Sequence, residues 1–140
     1  MSHDAQRTRG HALDYYFSKV LDMPVEQAVQ RVTEALAAKG FGILTTIDIA
    51  ATLKKRLDVD FRPYVILGAC NPPFAYKALT SEDKIGTMLP CNVIVQEVGE
   101  GRSEVAAVDP IASMQAIENP ELATIAGEVR ELLKGVVAGL

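Results

Sequence analysis

The side chains best suited to chemistry are the two cysteines, and each is followed directly by asparagine: Cys70-Asn71 and Cys91-Asn92. Each pair adjoins an apolar run, Val65-Ile-Leu-Gly-Ala-Cys70 on one side and Cys91-Asn-Val93 on the other. A thiolate is a nucleophile and a soft metal ligand. An asparagine amide both donates and accepts hydrogen bonds. Together with Phe74, which could wall a pocket, and Arg62, which could receive a carboxylate or phosphate, Cys70, Asn71, Cys91 and Asn92 form the candidate ligand-binding set. Cys70 is the candidate nucleophile, because Asn71-Pro72 reads as a helix start whose positive dipole end stabilises a thiolate. Pro72 and Pro73 lack N–H groups, so a phosphate cradle at that helix start is weakened.

Several alternatives stand beside this reading. Free cysteine often behaves as a small buried hydrophobe, and Asn71 and Asn92 could merely cap a helix and tie down a loop. No histidine neighbours either cysteine in sequence, and no known cysteine-enzyme signature is present. Two sulfurs fall short of the four ligands of a structural zinc site, so no metal site is expected; a soft ion such as Cu(I) would need both sulfurs facing each other. A disulfide requires the two Cα atoms to fall within about 7 Å. Lys77 flanks the region as a second cation. Asp48 and Asp109 read as a cap and a turn residue, and Tyr64 and Tyr76 as core or interface residues. The cofactor is left open.

The elements that must position these residues follow from periodicity. Tyr15 to Leu21 reads as a strand. Val25, Ala28, Val29, Val32 and Leu36 keep the spacing of an amphipathic helix that begins at Pro24 and stops at Gly40. Phe41 to Ile47 is a strand, followed by a short helix capped by Asp48, with Ile49, Leu53 and Leu57 on its buried side. Tyr64 to Cys70 suits a central strand, since it is almost wholly apolar. A helix from Pro72 places Phe74, Ala78 and Leu79 on one side. Cys91 to Val98 and Ser103 to Val108 are strands joined by a tight turn at Gly99-Glu-Gly101. A helical turn covers Ile111 to Ile117. Asn119-Pro120-Glu121 opens a last helix whose stripe is Leu122, Ile125, Ala126, Val129, Leu132, Leu133, Val136 and Val137.

Short links between the later strands favour an antiparallel sheet of about five strands, with the two long helices on one face and short helices inserted. The expected class is therefore α+β. A chain of 140 residues with 49% hydrophobic content builds one core and needs neither disulfide nor metal to fold. Residues 1–13, polar and carrying His3 and His11, read as a flexible tail, and 14–140 as one domain. The net charge of −4 is spread without long blocks, which excludes a basic nucleic-acid face. No run reaches the ~18 apolar residues of a membrane span, and the first residues lack the apolar region of a signal peptide. The expected compartment is the cytoplasm, where thiols stay reduced.

Gly40-Phe-Gly42, Thr46-Ile-Asp48, Thr52-Leu-Lys54-Lys55, Phe61-Arg-Pro63-Tyr64, Ile66-Leu-Gly-Ala-Cys70-Asn-Pro-Pro73 and Leu89-Pro-Cys91-Asn-Val93 occur in that order. With these motifs, residues 13–138 resemble the bacterial and archaeal family called domain of unknown function 302. The resemblance implies a β-α-β4-α fold of TATA-binding-protein-like layout, a frequent dimer, and no established reaction. It does not imply DNA binding, because a shared fold is not a shared function.

Three functions are therefore compatible with the sequence. The first is a small domain, expected to be a homodimer, that binds a small molecule near the two Cys-Asn motifs. The second is a thiol-dependent redox or nucleophilic enzyme. The third is a structural or interaction module without chemistry.

Overall fold

The computed structural model describes residues 14–140. The expected flexible tail, with its two histidines, lies outside them. Strands β1 (Tyr16–Leu21), β2 (Gly42–Asp48), β3 (Tyr64–Cys70), β4 (Cys91–Gly99) and β5 (Arg102–Val108) form one sheet in the order β1-β5-β4-β3-β2. Every neighbouring pair is antiparallel. The helices are α1 (Val25–Ala37), α2 (Ile49–Leu57), α3 (Pro72–Ser81), α4 (Pro110–Ser113) and α5 (Pro120–Ala138), with a 3-10 turn at Ile85–Met88. The α+β class and the single antiparallel sheet are as the sequence predicts.

The two long helices cover one face of the sheet. In α1, Ala28, Val32 and Leu36 are fully buried. In α5, seven of the eight stripe residues are buried, and Leu132 is half-buried at the stripe's margin. Each large side chain so buried contributes about 1.5–3 kcal/mol. Strand alternation supplies the opposing surface: Leu67 and Ala69 of β3, Cys91, Val93 and Val95 of β4, Val105 and Ala107 of β5. The buried Ser103 on that face donates its hydroxyl to Met23 O at 2.6 Å. Alternation also fixes what faces the other way, namely Tyr64 and Ile66 of β3, Asn92, Ile94 and Gln96 of β4, and Glu104 and Ala106 of β5.

The caps explain where the helices begin and end. Gly40 has φ 87°, and the amides of Gly40 and Phe41 fold back onto Ala37 O and Leu36 O, which stops α1. Asn119 Oδ1 accepts from Glu121 N and Leu122 N at the start of α5. Its Nδ2 donates to Ser81 O, so the same residue ties α5 to the end of α3. Asp48 accepts from Ala51 N at 2.9 Å, as its capping role predicts. Asp109 does more than turn the chain. It caps α4 at Ile111 N and pairs at 3.1 Å with Arg130, whose guanidinium lies over the Phe17 ring.

One helix differs from expectation. α2 has no buried residue: Ile49 and Leu53 are half-buried and Leu57 is 65% exposed. The helix ends at Asp58 in a left-handed turn, and it lies against β3 rather than under the two long helices. Nine residues in that place cannot bury a full stripe. Among the described residues, no helix is long and apolar enough to cross a membrane.

Candidate functional site

β3 and β4 run side by side with Ala69 opposite Cys91, so Cys70 sits one residue past the partner of Cys91. The two cysteines distant in sequence are therefore neighbours at one end of the sheet. Both are free thiols. β3 hands the chain to α3 through Asn71, and β4 is entered through a cis peptide at Leu89-Pro90. Gly68 permits this crossing. A Cβ there would collide with Thr45 Oγ1 and come within 2.7 Å of Pro90 Cγ.

A cavity of about 310 Å³ opens behind these residues. Cys70, Asn71 and Cys91 line it with Ala69 and Pro90 from the strand ends. Phe74, Ala75 and Ala78 of α3 form one wall, and Leu122, Ile125, Ala126 and Val129 of α5 the opposite one. Pro110 and Met114 close the end, while the exposed Leu44 and Leu79 stand at the mouth. No charged side chain lines it among the described residues.

Asn71 does not cap α3 with its side chain, contrary to the simplest reading of Asn-Pro. Its Nδ2 instead donates to Lys39 O at 3.2 Å, joining the start of α3 to the end of α1. Gly40 leaves room for this link, since a Cβ there would stand 3.1 Å from Asn71 Nδ2. Burial pushes the Cys91 thiol up to about 11, with the nearby Cys70 adding to the rise. At neutral pH Cys91 is thus an uncharged wall of the cavity and a poor nucleophile.

The structure divides the predicted residues between two places. Cys70, Asn71, Phe74 and Cys91 meet in the cavity. Asn92 and Arg62 do not reach it; they lie in a groove on the opposite face of the sheet, which the two long helices leave uncovered. Asn92 follows Cys91 directly, and strand alternation alone sends its side chain through to the other face. Lys77 stays outside the cavity, 5.5 Å from the centre of the Phe74 ring. Sequence reasoning missed the α5 wall, which was visible only as a core stripe. It also missed Gln96 and Glu104, which share the groove with Arg62. Their signal was two polar residues on one face of β4, Asn92 and Gln96, with Ile94 between them, and a glutamate inside β5 opposite Gln96.

The family profile described as "Domain of unknown function DUF302" matches residues 17–140. The chain belongs to the DUF302 family. A crystal structure of an uncharacterized conserved DUF302 protein from Bacillus stearothermophilus is similar to it, with a TM-score of 0.81 and 25% sequence identity. That similarity covers 89% of this chain and 96% of the other. No curated protein matches the sequence. The stretches Ala69-Cys70-Asn71-Pro72 and Leu89-Pro90-Cys91-Asn92 lie at two adjacent strand ends, and all of them but Pro72 and Asn92 line the cavity.

Proposed function

We propose that this DUF302 chain binds a small, uncharged, largely apolar molecule in the cavity behind Cys70, Asn71 and Cys91. The observation that carries the reading is a space of about 310 Å³ walled by apolar side chains and two thiols. That volume is in the range of ligand pockets. A charged ligand would be left without a partner there, at a large desolvation cost. Among the described residues Asn71 Oδ1 accepts no hydrogen bond, which suits a hydroxyl or amide N–H on the ligand.

Titration with the neutral fluorescent probe N-phenyl-1-naphthylamine tests this. We expect saturable emission from the wild-type chain and at least a tenfold loss of affinity in Ala75→Phe. Ala75 is half-buried on the cavity side of α3, so the added ring fills space rather than crowding the core. No binding, or equal binding by a folded Ala75→Phe variant, overturns the proposal.

We also infer a homodimer. The reading is supported by β2, an edge strand that pairs only with β3 among the described residues, with Leu44 65% and Ile47 44% exposed. Light scattering should give twice the 15.1 kDa chain mass. A monomer at working concentrations refutes it.

A further inference from the structure

On the face opposite the cavity, we propose a second binding site, for a small oxyanion carrying a planar apolar body, with Arg62 as its anchor. The residues that build it lie in cross-strand register. Tyr64 of β3 stands opposite Gln96 of β4, and Gln96 opposite Glu104 of β5. Together they line a groove of about 500 Å³ with Tyr16 and Ile94.

Arg62 is held from two sides. Its guanidinium carbon lies 4.5 Å from the centre of the Phe61 ring and 5.5 Å from that of Tyr64. Its Nε donates to Gln96 Oε1 at 2.8 Å. Gln96 is fixed in turn, because its Nε2 donates to Glu104 Oε1 at 2.8 Å. Glu104 is only 5% exposed, so this relay starts from an anchored carboxylate. The glutamine orientation follows from that order: the amide nitrogen must face the acceptor Glu104, which leaves the carbonyl for Arg62.

Arg62 therefore spends one donor edge on positioning. Its Nη1 and Nη2 make no hydrogen bond, and its charge no ion pair, among the described residues. A guanidinium held this way offers the paired donors that match a carboxylate or a phosphate. Gln96 separates the Glu104 charge from that position. The rings of Tyr16 and Tyr64 and the side chain of Ile94 give a flat ligand body an apolar surface. The site takes charge where the cavity excludes it, so it is independent of the cavity proposal.

Titration of the full chain with benzoate, phenyl phosphate and benzyl alcohol, followed by amide chemical shifts, tests the site. The two anions separate a carboxylate from a phosphate source. Saturable shifts are expected at Tyr64, Asn92 and Gln96 with at least one anion, and at least tenfold weaker binding of the neutral alcohol there. Arg62→Ala should lose at least tenfold in affinity, and Arg62→Lys several-fold, with melting temperatures unchanged because the residue is exposed. The proposal is overturned if neither anion gives saturable shifts, or if the shifts fall on Phe74 and Cys91 instead. It is equally overturned if Arg62→Lys binds as tightly as the wild type, since charge alone would then suffice.

Discussion

The cavity and the groove lie back to back on one sheet, built from alternate residues of the same strands. Cys91 faces the helices and Asn92 the groove; Val95 faces the helices and Gln96 the groove. The cavity side is covered by α1 and α5 and carries almost no polar group. The groove side is uncovered by the long helices and carries a relay of polar side chains ending in a buried glutamate. The contrast teaches that covering, more than residue type, sets what each side can do. Under the helices a thiol is desolvated and its titration moves up; in the groove a guanidinium stays exposed.

The comparison breaks most sharply on core packing. Leu122 is 2% exposed and forms part of the cavity wall, so Leu122→Ala should cost about 2–5 kcal/mol. Ile94→Ala, at a half-buried groove position, should cost clearly less. Urea denaturation of both variants decides this, and equal losses would erase the distinction between a closed side and an open one.

A titration sharpens it next. The folded-state value of Cys91, about 11, lies above its ordinary 9.0. The fold therefore favours the neutral thiol. That contribution is fully present below pH 9 and is lost as pH rises toward 11, because only the unfolded chain then ionises freely. A rise from 9.0 to about 11 corresponds to a few kcal/mol, on the order of 3. Stability measured across this window should fall in the wild type, and that component of the fall should vanish in Cys91→Ala.

Gly40→Ala probes the link that closes the cavity's edge. A positive φ costs a non-glycine residue roughly 1–2 kcal/mol, and the new methyl would press on Asn71 Nδ2. A loss of that size is expected in thermal unfolding, together with altered probe binding in the cavity and none in the groove. The smallest effect belongs to Arg62→Ala. Its exposed side chain should change stability by less than about 0.5 kcal/mol. A loss of 2 kcal/mol would make Arg62 a structural residue and remove it from the binding argument.

Much of the fold is legible in the sequence alone. The helix at 25–37 declared itself by apolar spacing between Pro24 and Gly40, and the last helix by Asn119-Pro120 and its long stripe. These signals are local: they depend on residues three or four apart and on backbone preferences at single positions. The failures are local signals overridden by place. Leu57 keeps helical spacing with Leu53, yet α2 lies against β3 outside the cover of the two long helices, and Leu57 stays 65% exposed. Asn71 has the sequence of a cap, yet Lys39 O, brought near by the fold, takes its amide.

For the site, the sequence by itself determined the residue types: two thiols with an asparagine after each, apolar strands around them, an arginine among aromatics. It could not determine which of them meet. Cys70 and Cys91 converge because β3 and β4 are adjacent in one antiparallel register, and register is a property of two chains of backbone, not of either motif. Strand alternation separates the side chains of Cys91 and Asn92 by the thickness of the sheet. Only the tertiary structure, by fixing strand order and choosing which face the long helices cover, split one apparent signature into an apolar cavity and a polar groove.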